Sequence, residues 1–387
     1  MYSLLLALIY LAFFSLGLPD SLLGAGWPAM YPDIGAPLTY MGIVSMVISA
    51  GTVVSSLLSD GMTRRFGTAC VTIFSVFLTA VGLFGFSVST KFWMLLLWSV
   101  PYGFGAGAID AALNNYVALH YTSKHMSWLH CFWGAGAIVS PFIMSYALLH
   151  DSWNRGYGEV ALIQVVIGVL LLCTLPMWKI HKNPTKVSEE ARPIGLVNAL
   201  RIGGVPFLLL GFFAYCAAEA TTMYWASTYL VEVKGLAEER AAAFGSLFYI
   251  GLTAGRFLGG FIMDRLGDRK MIRMGTAVLT CGILCLLLAG ERETLFLAGF
   301  LIIGLGCAPI YPCIIHSTPA NFGAENSGAI IGIQMASAYV GTTFVPPLLG
   351  LLGRFLGLGI LPVYLIVFFA LMLTMIEKTF RLTGNRH

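Results

Sequence analysis

Charge is what this sequence has least of. Only 10% of its 387 residues are Asp, Glu, Lys or Arg, where a soluble domain carries about a quarter. With 58% hydrophobic residues and a mean hydropathy of +0.84, that scarcity excludes an ordinary soluble fold. Other absences narrow the class further. The eight cysteines (Cys70, Cys131, Cys173, Cys216, Cys281, Cys285, Cys307, Cys313) make no C-x-x-C pair and no histidine cluster. They therefore read as small apolar packing residues, with neither a disulfide framework nor a metal site expected. No H-E-x-x-H, G-x-S-x-G or phosphate-cradling P-loop occurs, so the chain is not expected to be an enzyme or an ATP-driven pump. No cofactor is expected, and the net charge of +4 gives no pointer to nucleic acid. The first residues, MYSLLLALIY, lack the basic region of a signal peptide and read as a permanent span.

What is present is a recurrence of apolar runs about 20 residues long, the length that crosses a hydrocarbon core as a helix. Breaks at charge, proline and glycine divide them into twelve predicted spans: 3–32, 38–59, 68–88, 92–121, 126–150, 157–180, 204–233, 240–264, 270–289, 293–317, 326–352 and 358–380. The expected fold class is an all-α membrane protein of twelve transmembrane helices in two pseudo-symmetric six-helix bundles. With both termini cytoplasmic, fifteen Lys and Arg fall inside and six outside. The positive-inside rule then sets that orientation in the cell membrane. One long polar connection, HKNPTKVSEEARPIG (His181–Gly195), has almost nothing to bury. It sets the expected domains as 1–182, a cytoplasmic linker 183–203, and 204–387 with a short cytoplasmic tail.

The halves echo one another. Asp20 has a counterpart in Glu219, Trp27 in Trp225, the GFGAG at Gly103 in the GLGCA at Gly304, Asp60 in Asp264 and Pro141 in Pro346. All five offsets lie near 200, as a duplicated six-helix unit requires.

MDRLGDRK (Met263–Lys270) resembles the G-x-x-x-D-R-x-G-R-R motif of the major facilitator superfamily, and SDGMTRRFG stands at the matching place in the first half. The resemblance implies a cytoplasmic latch of Asp60, Arg64, Arg65, Asp264, Arg265 and Arg269, in which an aspartate at a helix end pairs with arginine and touches a neighbouring helix terminus. The first copy departs from the pattern, with Gly61, Met62 and Thr63 before Arg64. GFGAGAIDAALNNYV, SWLHCFWGAGAIVSPF, AEATTMYWASTYL, GRFLGGFIMDRLG, GLGCAPIYP and GIQMASAYVGTTFVPPLLG, in that order, resemble the fucose permease-like branch of proton-coupled sugar symporters.

Three carboxylates lie deep in spans, where a charge costs roughly 2.5–3.5 kcal/mol on insertion scales and implies a use. Asp110 is 19 residues from Lys91 and 14 from Lys124. At about 1.5 Å rise per residue it lies roughly 20 Å or more from either end. Such a carboxylate is a natural site for a proton that binds from one side and leaves on the other. The family resemblance links acids of the first and fourth spans, here Asp20 and Asp110, to proton-coupled sugar binding, with aspartate at 110 where the fucose permease has glutamate. Asp20 is expected to line an aqueous cavity, and Glu219 is a third candidate for ion coupling. Carboxylates can also hold Na⁺, so sodium is a variant coupling ion.

Asn114 lies four residues after Asp110 and shares its face, with Asn115 turned about 100° away. An acid beside an amide offers the acceptors and donors that a polyhydroxylated solute needs. Gln164 and Gln334 add amides, and Trp27, Trp133, Tyr224 and Trp225 could each present a ring face to a sugar. For each of these, helix packing is the competing structural reading. Arg256 is read as structural, either snorkelling to the surface or pairing with a buried acid. His130 is given packing or gating, and His316 is given no role. The leading expectation is a monomeric transporter importing a sugar or related polar solute through the lipid bilayer with protons. A same-fold exporter of amphipathic compounds is the alternative, and a membrane enzyme or sensor the reading from a different class.

Overall fold

The computed structural model describes residues 2–37, 40–179, 195–236 and 238–384. Among them there is helix and no strand. The helices are α1 (Tyr2–Asp20), α2 (Leu22–Asp33), α3 (Met41–Phe66), α4 (Thr68–Ser87), α5 (Phe92–His120), α6 (Ser123–His150), α7 (Trp153–Cys173) and α8 (Leu175–Lys179). There follow α9 (Leu196–Arg201), α10 (Val205–Glu232), α11 (Glu238–Gly259), α12 (Met263–Leu266), α13 (Asp268–Leu288) and α14 (Glu293–Cys307). The chain closes with α15 (Ile310–His316), α16 (Thr318–Phe322), α17 (Ala324–Leu356) and α18 (Leu361–Thr383). Residues 183–194 of the expected linker and 385–387 of the expected tail lie outside the described residues. The rest of the linker, 195–203, is not extended but carries α9.

Among the described residues, eleven stretches are long and apolar enough to cross a membrane. The remaining expected span falls on α11, a helix of 22 residues that ends at Gly259. Large apolar side chains are left exposed along these helices, Phe74 at 63% and Phe355 at 80% among them. On a soluble monomer such surface would be a liability, whereas in hydrocarbon it is solvated.

Two compact units emerge. One comprises Met1–Tyr116, Leu129–Ile194 and Ile331–Ala336; the other comprises Val117–Trp128, Gly195–Ile330 and Ser337–His387. In the first, α4 packs on α7, and α1 on α7, around Ile9, Phe13, Phe86 and Tyr157. In the second, α14 packs on α13 and α11, and α10 on α18, around Phe212, Tyr215, Phe248 and Phe300.

The duplication is visible in the backbone. Gly67 and Gly267, at φ 82° and 75°, adopt the left-handed region that glycine tolerates and precede α4 and α13, whose starts are 200 apart (268 minus 68). In the first unit a Cβ on Gly103 would strike the Ile48 carbonyl, and in the second a Cβ on Gly304 would strike the Phe248 carbonyl. The GFGAG and GLGCA repeats thus serve the same close helix approach.

Four spans are broken where the sequence reading kept them whole. The first span parts at Ser21, just after Pro19 and Asp20. The sixth parts at Thr174, between α7 and α8. The eighth stops at Gly259 before the short α12. The tenth parts at Ala308–Pro309, because proline lacks the N–H that would continue the ladder. The second span runs longer than expected, to Phe66, so Asp60, Arg64 and Arg65 are helical. Asp60 stands seven residues before its turn glycine, Asp264 three before Gly267. The two aspartates are therefore not in equivalent places; Arg64 occupies the position that matches Asp264.

Candidate functional site

The polar groups of the first unit converge on α6. Asp110 on α5 is 6% exposed, and Asn114 is fully buried. One turn of helix brings the Asn114 amide nitrogen to the Asp110 carboxylate at 2.8 Å and to the Asp110 backbone oxygen at 3.0 Å. The backbone oxygen only accepts, which fixes the orientation of the amide and turns its oxygen to His130 Nε2, 3.1 Å away. A carbonyl oxygen has no proton to give, so Nε2 of His130 must donate. Phe13 of α1 sets its ring edge-on to His130 at 5.3 Å. The thioether of Met335, from the α17 segment that belongs to this unit, lies 3.9 Å from the Asn114 amide.

His130 and Trp133 are three residues apart on α6 and therefore share a face. The Trp133 indole N–H donates to Asp20 at 2.7 Å. Asp20 is exposed and closes α1 at the break, and the next residue, Ser21, donates to the Ala137 carbonyl at 2.6 Å and meets Ser140 at 2.9 Å. The approach is close because Gly17 and Gly136 face backbone: a Cβ on either would strike the Trp133 or Phe14 carbonyl. One face of α6 thus serves both acids of the first unit. Sequence reasoning missed His130 as a member of this chain, since its partner Asn114 lies on another helix. Gln164 is buried and donates to the Ser15 carbonyl, while its own oxygen has no hydrogen-bond partner among the described residues. Trp27 and Gln334 are buried in the same unit, and Asn115 is half-buried. A separate recess of 360 Å³ lined by Met62, Phe66, Val71, Phe74, Leu78 and Phe104 is almost wholly apolar and offers little to a hydroxylated solute.

The second unit arranges its acid differently. Glu219 on α10 accepts from Arg256 of α11 at 3.1 Å, with both side chains buried. Ser127 donates to the Arg256 carbonyl at 2.6 Å, and Tyr215, one turn before Glu219, donates to the Cys307 carbonyl at 2.8 Å. Arg256 does not snorkel, since α11 ends three residues beyond it and no continuous helix leads to Asp264. Of the aromatic candidates here, Tyr224 is 66% exposed, and Trp225 fastens α17 by donating to the Pro346 carbonyl at 2.9 Å.

The charged motifs also separate. Asp264 accepts from Thr122 at 3.0 Å and from the Lys124 backbone N–H at 3.2 Å, so it caps the positive end of α6. Arg269 and Arg273 both donate to Glu377 of α18, at 3.0 Å and 2.6 Å. Asp60, by contrast, pairs with Arg64 one turn along its own helix at 3.0 Å, and Arg65 stacks on the Phe66 ring. Arg265 follows Asp264 within α12.

Comparisons with known proteins agree with this architecture. The model of the Major Facilitator Superfamily matches residues 9–346 and 240–383. Bypass of stop codon protein 6 of Saccharomyces cerevisiae is 24% identical over 279 residues, a match covering 66% of this chain and 56% of that protein. FucP, the E. coli fucose:proton symporter, solved in its outward conformation, superposes with a TM-score of 0.78 at 17% identity, covering 97% of this chain and 98% of that one. The proton:xylose symporter XylE superposes with a TM-score of 0.78 at 13% identity, covering 96% and 94%. Proteins of this family are transporters rather than enzymes; they need no cofactor, and a coupling ion is itself a substrate. A family model that spans nearly the whole chain, apolar helices throughout and a fold shared with solved transporters leave one conclusion: this chain is a multi-pass membrane protein of the Major Facilitator Superfamily.

Proposed function

We propose that the protein is a secondary active transporter that moves a sugar or similar polar organic solute across the cell membrane together with protons, by alternating access, as a monomer with both termini in the cytoplasm. The observation that carries the reading is the chain Asp110–Asn114–His130. It sets a carboxyl, an amide and an imidazole in sequence at hydrogen-bond distance within an otherwise apolar bundle. Such a chain supplies donors and acceptors to hydroxyl groups and a carboxyl that can take up and release a proton. Asp20, held by Trp133 on the same helix face as His130, is the second proton-accepting group. That FucP and XylE are proton-coupled sugar symporters supports the choice of solute.

The test is uptake of a panel of labelled sugars into vesicles holding the purified protein, under an imposed pH gradient, an imposed Na⁺ gradient, or neither. The expected result is accumulation of one sugar driven by the pH gradient and lost in Asp110→Asn, with sugar exchange retained. Drive by Na⁺ alone would replace the proton as the coupling ion. Failure of every sugar under every gradient would overturn the solute assignment and turn the search to export of amphipathic compounds.

A further inference from the structure

The second unit contains a histidine cluster that neither the motif reading nor the proposed transport site uses. His316 ends α15, where its ring meets three groups from two other places in the chain. Nε2 lies 3.0 Å from the Tyr121 carbonyl. Nδ1 lies 2.7 Å from Asp268 Oδ2 and 3.0 Å from Ser123 Oγ. Ser123 in turn donates to the other Asp268 oxygen at 2.5 Å. Tyr121, Ser123, Asp268 and His316 all line one cavity of 430 Å³, together with Thr122, Met263, Asp264 and Gly267.

Counting protons decides what this cluster holds. The Tyr121 carbonyl only accepts, so Nε2 must carry a hydrogen. Ser123 has one hydroxyl proton, which serves Asp268 Oδ1. The remaining contact sets Nδ1 against a carboxylate oxygen at 2.7 Å, and two lone pairs cannot face each other at that distance. A further proton must lie between them. With it, all four contacts are satisfied at once: Nδ1–H to Asp268 and, as the second acceptor of the same hydrogen, Ser123 Oγ; Ser123 O–H to Asp268; and Nε2–H to Tyr121. Sending the serine proton to Nδ1 instead would leave both Asp268 oxygens facing acceptors. The arrangement is also not a nucleophile triad, because Ser123 and Asp268 lie on the same ring nitrogen and no relay can pass through the ring.

We infer that Asp268, His316 and Ser123 form a proton-binding pin, which fixes the turn between α5 and α6 to α13 and α15 when one proton is bound and releases it when that proton leaves. The engaged form carries one proton more than neutral histidine with ionised aspartate, so by linkage it is favoured at low pH and weakens as pH rises. Other titratable groups surround it. Asp264 on α12 is already held by Thr122 and the Lys124 N–H. The Lys124 ammonium lies over the Trp128 ring at 4.4 Å. His125 on α6 meets the Tyr121 ring edge-on at 5.5 Å, and Cys313 is buried one turn before His316. Of these, His125 is the competing pH-sensitive group, and the test must separate it. The pin sits beside the Asp264 cap on the first turn of α6, so the same turn is held by one contact that needs a proton and one that does not.

The experiment is hydrogen exchange of the full-length protein in lipid nanodiscs across about pH 5 to 8, where histidine titrates, read on residues 121–127 and 267–271 after correction for the intrinsic pH dependence. With the loss of a charge-assisted hydrogen bond, protection of both segments should fall roughly tenfold or more as pH rises. In His316→Gln and in Asp268→Asn the pH step should vanish, while in His125→Gln it should persist. Histidine side-chain NMR of the unaltered protein gives a second reading that needs no variant: the doubly protonated His316 signal should disappear over the same pH interval as the protection. A pH step that survives His316→Gln, one that follows His125 instead, or a His316 ring that titrates with no change in protection would each overturn the inference.

Discussion

The first and second units each set an acid near the same point of a duplicated plan, yet partner it differently. Asp20 accepts from an indole N–H and Asp110 from an amide, whereas Glu219 accepts from a guanidinium. Neutral donors stabilise a carboxylate modestly and still leave room for a proton. A buried arginine holds the charge in place and would itself be stranded if the acid were neutralised. The repeat therefore keeps a position for an acid while changing what the acid does. On the proposed function, the first unit's acids exchange a proton, whereas the Glu219–Arg256 pair of the second anchors its helices.

Several substitutions sharpen or break this contrast. The largest difference should separate Asp110→Asn from the paired change Glu219→Gln with Arg256→Gln. The first should reduce gradient-driven uptake to that of empty vesicles, and the second should leave it within a few-fold of the unaltered protein. Equal loss in both would erase the distinction between the units. Next comes Arg256→Ala alone, which leaves Glu219 buried and unpaired by its arginine. It should cost about 3–5 kcal/mol, seen in thermal unfolding in detergent, with much of the loss recovered when Glu219 is also neutralised. A smaller effect is expected for Trp133→Phe, which keeps the ring and removes the N–H from Asp20. A hydrogen bond to a charged group contributes about 1.5–3 kcal/mol to stability, so thermal unfolding in detergent should show a loss of that order, and uptake should fall with it. The smallest belongs to Arg64→Gln. Its i,i+4 pair with Asp60 should be worth only about 0.3–0.5 kcal/mol, whereas removing Asp264 strips two contacts from the start of α6 and should cost more.

Much of the fold was legible because membrane crossing imposes its own length and composition. Nearly every span was marked by an apolar run, and the offset near 200 recurs in the backbone at Gly67 and Gly267. The breaks were less legible. Proline and paired glycines raise the chance of a break, but packing decides whether it happens: Pro101 and Pro141 lie inside unbroken helices, while the span containing Pro19 parts at Ser21. Matching Asp60 to Asp264 followed residue type, where the turn glycines are the better register. In the site, Asn114 was readable from its spacing to Asp110, since four residues make one face. His130 was not, because its partner lies on another helix and no pattern within one segment reports a contact between two. Of the two structural readings of Arg256, pairing with a buried acid is the one found; the route to the surface presumed a helix that in fact stops at Gly259.

The glycine seams have a consequence for how this protein will look to genetics. At Gly17, Gly136, Gly103 and Gly304, one helix rests against the bare carbonyls of another, so even a methyl group has nowhere to go. A saturation screen scored on growth alone will therefore show two sets of intolerant positions that it cannot tell apart, one where the transported solute is handled and one where the chain merely has no thickness to spare. Scoring the same library for protein level in the membrane should separate them: seam variants should fail both assays, and carboxyl variants only the first.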